Sequence, residues 1–302
     1  MESLINKLAL GTVQFGLDYG INNPNGKPTK EKSLEILDFA YEKGIKVFDT
    51  ARVYGDAEET LGEFLQSRNL EEEIKIITKL DLDVFSKSKG KLRDIVAAEL
   101  EESLKRLKRD YVDGYLLHTP EHIRNDEIVG IMVDLKKQGL VKNIGVSIYE
   151  EADAIYAANL KEVDYIQAPY NIFDQRMDRS GFFRLAKKNG KTVFARSAFL
   201  QGLFLMPENK IPLLLEKTKV YLSRMDKIIA KYSLARREVA LLFSCANKNI
   251  DYAVFGVDNI GQLQEHIRTL EGKKDFTGCL EELKNSFSDV EKIITSPNLW
   301  KK

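Results

Sequence analysis

A chain of 302 residues that is 43% hydrophobic, 30% charged and 9% aromatic has the composition of a soluble globular protein, with enough length for two ordinary domains or one α/β barrel. Its 46 Lys and Arg balance 46 Asp and Glu, which excludes a global basic field for nucleic acid or an anionic membrane and points to a small-molecule partner. No stretch reaches the roughly 18–20 apolar residues of a membrane span, and Cys245 and Cys279 lack C-x-x-C or Cys/His spacing, so the expected setting is the cytoplasm, with both thiols reduced.

Short β-branched or apolar runs recur in chain order: KLALGT from Lys7, IKVFDT from Ile45, IKIITK from Ile74, YVDGYLLH from Tyr111, NIGVS from Asn143, DYIQAPYN from Asp164, KTVFARSAF from Lys191 and DYAVFG from Asp251. Between them run helical patterns of 3.6-residue period, such as Leu92, Ile95, Val96, Leu100, Leu104 and Leu107. The apolar patch near Val239 is assigned to a helix. Gly44, Gly139 and Gly190 each follow a helical pattern and precede a strand, as left-handed C-terminal caps do. Asp56 with Glu59 reads as a capping box. Eight strands alternating with helices, with no linker or composition break, predict one closed (β/α)₈ TIM barrel over residues 1–302. The seventh-to-eighth connection is expected to be an extended helical one at about 205–248, with patterns at 213–231 and 236–246, and a helical tail is expected at about 278–302. The dinucleotide-binding G-x-G-x-x-G turn and the phosphate loop are missing.

Barrel chemistry is built at the carboxyl ends of the strands. Strand two stops at Asp49, strand three at Lys79 and strand four at His118, while Tyr54 lies five residues beyond Asp49 in RVYGD. Taken singly, each has a plain structural reading: a turn-forming Asp, a solvated Lys, a packed Tyr, a hydrogen-bonded core His. Together they form a set suited to protonating a carbonyl oxygen. A free phenol has a pKa of about 10. A neighbouring ammonium is expected to lower it, Asp49 to hold the ammonium, and His118 to donate to the same oxygen. No side chain supplies hydride, so the chemistry calls for a reduced nicotinamide or similar cofactor. His118 and His122 have metal-pair spacing, but Pro120 lies between them, and no metal is expected.

On these residues the chain resembles the aldo-keto reductase superfamily, from LALGTVQFG at Leu8 to VFGVDNIGQLQEH ending at His266. FDTARVYGDAEETLG carries Asp49 and Tyr54, ITKL carries Lys79 and YLLH carries His118, matching the family tetrad. GTVQFGLDYGINNPNG and RSAFLQGLF look like a bacterial branch associated with carbohydrate modification. The resemblance implies NAD(P)H lying extended across the barrel mouth, beside Thr12 and Asp49. Ser147 and Gln167 would meet the nicotinamide carboxamide, with Ile148 where the family commonly has Asn. Arg196 would lie under the nicotinamide in place of an aromatic ring, and Ser197 and Phe199 would flank the pyrophosphate. Gly256, Val257, Asp258 and Gln262 match the segment for a 2′-phosphate, and Glu265 and His266 lie near the adenine. That segment has no Lys or Arg before Arg268, and Asp258 suits a free ribose hydroxyl. Family prevalence puts NADPH narrowly ahead of NADH.

The leading functional reading is a reductase of an aldehyde or ketone, with a sugar derivative as a candidate substrate and Tyr54 as general acid. An alternative is an NAD(P)H-binding redox-sensing subunit that couples cofactor state to a partner protein, motivated by Arg196 and the missing phosphate cations. A third is Schiff-base chemistry on Lys79, against which Asp49 argues. Phe15, Tyr19, Arg52, Tyr149, Phe173 and Trp300 are candidates for the substrate wall. The sequence assigns no oligomeric state.

Overall fold

The eight expected strands all form, and each is short and buried on both faces, as parallel strands between a filled interior and covering helices must be. They are β1 (Leu8–Gly11), β2 (Val47–Asp49), β3 (Lys75–Leu80), β4 (Gly114–Leu117), β5 (Ile144–Ser147), β6 (Tyr165–Pro169), β7 (Thr192–Arg196) and β8 (Tyr252–Phe255). They pair in sequence order into a closed parallel barrel, with β8 returning to β1 so that Val254 lies opposite Ala9. This computed structural model describes residues 4–300 except 82, 84, 85, 87, 88, 273 and 274.

Side chains alternate along a strand, so one set points into the barrel. Ala9, Val47, Ile77, Leu116, Phe194 and Val254, with Tyr165 and Tyr252 against them, form one apolar cluster inside the barrel. Two residues further along the eight strands, the same inward direction is taken by Gly11, Asp49, Lys79, His118, Ser147, Gln167, Arg196 and Gly256. A packed apolar layer is thus followed by a ring of mostly polar residues at the mouth. The fold places them; no loop has to be invoked.

Helices α1 (Lys30–Glu42), α2 (Ala57–Arg68), α3 (Leu92–Leu107), α4 (Asp126–Lys137), α5 (Glu151–Asn159) and α6 (Phe182–Lys188) cover the barrel between successive strands. The α3 stripe is as expected: Ile95, Val96, Leu100 and Leu107 are buried, and Leu92 and Leu104 pack against the core. Gly44, Gly139 and Gly190 adopt φ of 88°, 81° and 67°, the left-handed backbone that stops a helix. The capping box at Asp56 does not form. Its backbone (φ −97°, ψ 17°) is not the extended conformation of a capping residue, and its carboxylate pairs with Lys27 instead. The long seventh connection carries α7 (Thr218–Ala230) and α8 (Arg236–Cys245), the latter burying Val239. After β8 come α9 (Ile260–Glu271), α10 (Thr277–Ser286) and two short turns at Lys292–Thr295 and Pro297–Leu299. Cys245 and Cys279 are free and buried. Among the described residues no helix is long and apolar enough to cross a membrane.

Candidate active site

Asp49 is the hub of the ring. Its carboxylate accepts from Lys79 Nζ at 2.7 and 2.9 Å and from Gln167 Nε2 at 2.7 Å, and its main-chain carbonyl accepts from the Thr12 N–H at 2.9 Å. Lys79 is fully buried, and its ammonium also donates to the Thr50 carbonyl at 2.8 Å. All its donor positions are therefore taken, which disfavours a neutral, nucleophilic lysine. Tyr54 is brought over this pair by a tight turn in which its N–H donates to Ala51 O and its own carbonyl accepts from Ala57 N–H, both at 3.0 Å. The turn is clamped backbone to backbone: a Cβ on Gly16 would lie 1.7 Å from the Tyr54 carbonyl oxygen, and one on Gly55 would lie 2.4 Å from Gly16 O. Lys79 Nζ comes to 5.3 Å from the centre of the Tyr54 ring, and the His118 ring meets Tyr54 edge-on with centroids 5.6 Å apart. The four expected residues thus converge.

Their electrostatics differ from the sequence expectation in one respect. Burial and the negative charge of Asp49 push the Tyr54 phenol well above its ordinary pKa, and Arg196 opposes them. The ammonium expected to lower that pKa is turned toward Asp49. These influences favour the protonated phenol. Burial, against the opposing pull of Asp49, lowers the Lys79 ammonium. Burial, with Lys79 and Arg196 nearby, lowers His118 to about 3, so the imidazole is neutral at physiological pH. Its Nδ1 has no hydrogen-bond partner.

A cleft of about 450 Å³ opens over the ring. Of the sequence-derived cofactor positions, Thr12, Asp49, Ser147, Gln167, Arg196, Ser197, Phe199, Gly256, Asp258, Gln262 and His266 line it. Val257 and Glu265 do not: Val257 is buried in the core, and Glu265 is ion-paired with Arg237. Gln167 gives one amide N–H to Asp49, leaving its oxygen for a ligand. Arg196 donates to Ile148 O at 2.9 Å and lies 4.9 Å from the Tyr149 ring; no carboxylate pairs with it among the described residues. Of the proposed substrate wall, Tyr19 and Tyr149 line the cleft. Phe15 is in the core, Arg52 faces Glu99, Phe173 packs on Phe204 and Phe287, and the Trp300 indole N–H donates to Ile293 O.

Several lining residues were not anticipated. Arg237 reaches the cleft from α8, Arg176 from the chain after β6, and Thr295, Ser296 and Asn298 from the tail. Arg176 is held by Asp174 at 2.8 and 2.9 Å and by Glu150 at 2.9 Å, so its charge is matched within the protein. Among the described residues no three His, Cys, Asp or Glu side chains group as a metal site needs.

The cleft suits a dinucleotide. It runs from the ring to His266, against which Phe199 stacks with centroids 4.9 Å apart, and it holds the unmatched Arg196 cation and the unpartnered Nδ1 of His118. The model of the Aldo/keto reductase family matches residues 7–278. The chain is 28% identical to aldo-keto reductase YhdN of Bacillus subtilis (strain 168), over 94% of this chain and 92% of that protein. It is 24% identical to L-glyceraldehyde 3-phosphate reductase of Escherichia coli (strain K12), over 97% and 92%. The solved aldo-keto reductase AKR11C1 from Bacillus halodurans, in its holo form, has the same fold, with a TM-score of 0.73 at 20% identity over 92% of this chain and 91% of that one. A match of this extent, on a closed barrel whose mouth gathers these side chains, shows that the chain belongs to the aldo/keto reductase family of NAD(P)H-dependent carbonyl-reducing enzymes.

Proposed function

We propose that the protein reduces a small aldehyde or ketone, with a sugar-derived carbonyl compound as the substrate class and Tyr54 as the general acid. The observation that carries this reading is the convergence of the half-buried Tyr54 phenol and the His118 imidazole over a buried lysine–aspartate pair. A bound reduced nicotinamide supplies the hydride. Tyr54 gives its proton to the carbonyl oxygen as negative charge develops there, and His118 offers that oxygen a hydrogen bond. The nearby positive charge of Arg196 eases the phenolate that Tyr54 becomes, before it is reprotonated from solvent. Lys79 and Asp49 act beneath, fixing the floor on which Tyr54 rests.

The sugar class draws support from the polar side of the cleft, where Asn22, Asn23, Ser296 and Asn298 offer donors and acceptors to hydroxyl groups, and from a relative named for reducing a sugar phosphate. Balanced charge and two unpaired thiols fit a cytoplasmic setting.

The test is Tyr54→Phe, assayed by NAD(P)H oxidation against a panel of sugar-derived and simple aldehydes. Reduction should fall by about 10²–10⁴-fold, the usual worth of a positioned acid, while cofactor affinity measured by fluorescence stays within about 2-fold. Reduction that survives the substitution would remove Tyr54 from this role.

A further inference from the structure

We infer that the end of the cleft remote from Tyr54 selects NADH over NADPH, and that Asp258 sets the choice. This rests on the reading that the cleft holds a nicotinamide dinucleotide with its reacting ring beside Tyr54.

The cofactor's other end would lie along the side of the cleft next to β1 and β8. In the ring of eight residues at the barrel mouth, Gly11, which ends β1, and Gly256, which follows β8, alone have no side chain, and the Gln14 amide occupies the space above Gly256. Beyond this side of the ring the cleft is lined by Phe199, Asp258, Gln262, His266 and Arg237. With the nicotinamide beside Tyr54, this is the end of the cleft left for the adenosine ribose of an extended dinucleotide.

A 2′-phosphate carries between one and two negative charges near neutral pH and needs cations or several hydrogen-bond donors. The far end offers the reverse. The Asp258 carboxylate lines the cleft and is fixed from one side, where Oδ2 accepts from Gln262 Nε2 at 3.1 Å while Gln262 Oε1 accepts from the Asp258 N–H at 2.9 Å. The Gln262 side-chain amide is thus turned onto Asp258. Arg237 is the one cation lining this end among the described residues, and Glu265 has already matched its charge. Arg268 donates to its own helix at Gln264 O. Burial lowers His266 to about 3, so it adds no charge. The balance is one unmatched negative charge. A carboxylate beside a ribose is a good acceptor for the free hydroxyls of NADH and repels the phosphate of NADPH. These contacts argue for NADH where family prevalence suggested NADPH.

Titrating the purified protein with NADH and with NADPH, reading nucleotide fluorescence with no carbonyl substrate present, tests this without turnover. NADH should bind at least about 10-fold more tightly. Asp258→Ser should tighten NADPH by about 10-fold and weaken NADH by a few-fold, while the charge-balanced double variant Arg237→Met, Glu265→Gln should leave the ratio of the two affinities within about 2-fold. Equal or tighter binding of NADPH by the wild type, an unchanged ratio in Asp258→Ser, or a selective loss of NADPH in the double variant would each overturn the inference and leave carbonyl reduction by Tyr54 standing. If neither nucleotide binds, the dinucleotide reading fails as well, and the two failures are told apart by that result.

Discussion

The Tyr54 end of the cleft takes most of its side chains from strand ends, each pointing inward because the residue two positions earlier does, and its charges leave one positive in excess once Lys79 has met Asp49. The remote end is assembled from α8, the start of α9 and the loop after β7, and its charges leave one negative in excess once Arg237 has met Glu265. A closed barrel holds its strand ends by interstrand hydrogen bonds on both sides, so the ring is rigid and suited to groups whose placement decides a reaction. Helix starts and loops can change residue by residue without disturbing the barrel, so they suit the choice of which molecule enters. On the proposed reading, chemistry and selection are thus divided between parts of the fold with different mechanical character.

The sharpest way to break this comparison is to remove the same kind of charge at each end. Asp49→Asn leaves the fully buried Lys79 ammonium without its ionic partner, which should cost about 3–5 kcal/mol of stability in urea unfolding. Asp258→Asn keeps a hydrogen-bonding group beside Gln262 at a half-buried site and should cost less than about 1 kcal/mol. Equal costs would mean that the ring is no more tightly constructed than the remote end, and the division of labour argued above would lose its physical basis.

What the sequence revealed follows the same division. Strand ends can be read from β-branched runs, and this reading brought Asp49, Lys79 and His118 to one mouth, while Ser147, Gln167 and Arg196 came from the family resemblance; the two-residue period of the strands turns all six the same way. The closed eight-stranded barrel was legible for the same reason. Arg237 was not, because it meets Asp258, Gln262 and His266 only when α8 packs beside α9, and nothing local in the chain encodes that approach. The clamp of Gly16 on Gly55 was equally hidden, although a glycine on each side of the Tyr54 turn was a signal available for use. The direction of the Tyr54 shift was misread because charge partners can be guessed from sequence and the degree of burial cannot. The helix start at Asp56 failed on backbone geometry: residue type permits a cap, and only the extended conformation makes one.

A titration can sharpen the comparison further, because each end holds one histidine whose pKa burial lowers from 6.5 to about 3. Between those values the unfolded chain binds more protons than the folded one, so stability is full above about pH 6.5 and is lost as the solution is acidified toward pH 3. At pH 5 each histidine should have withdrawn on the order of 2 kcal/mol. His266→Phe, which keeps a ring against Phe199, should remove about half of the loss that the histidines cause between pH 7.5 and 5 in urea unfolding and leave the His118 share intact. A pH dependence identical to that of the wild type would show that His266 takes up its proton as readily folded as unfolded, and would contradict its burial.

The smallest expected effect concerns Phe199, which sits in a loop under visible backbone strain: Ser197, Leu200 and Gln201 have φ of 67°, 48° and 53°, left-handed values that non-glycine residues rarely hold. The loop is retained by Phe199 stacking on His266, by His266 meeting Phe255 edge-on, and by the Ile21 N–H donating to Gln201 O at 3.1 Å across the cleft. Phe199→Leu keeps an apolar side chain and removes the stack, a loss of about 0.5–1.5 kcal/mol. Because the stack belongs to the remote end, the loss should appear as a roughly 2–10-fold rise in the KM for the dinucleotide, with kcat at saturating cofactor unchanged. A matching fall in kcat would mean that strain in this loop is transmitted through Ser197 to Arg196 and the ring, and that the two ends of the cleft act as one.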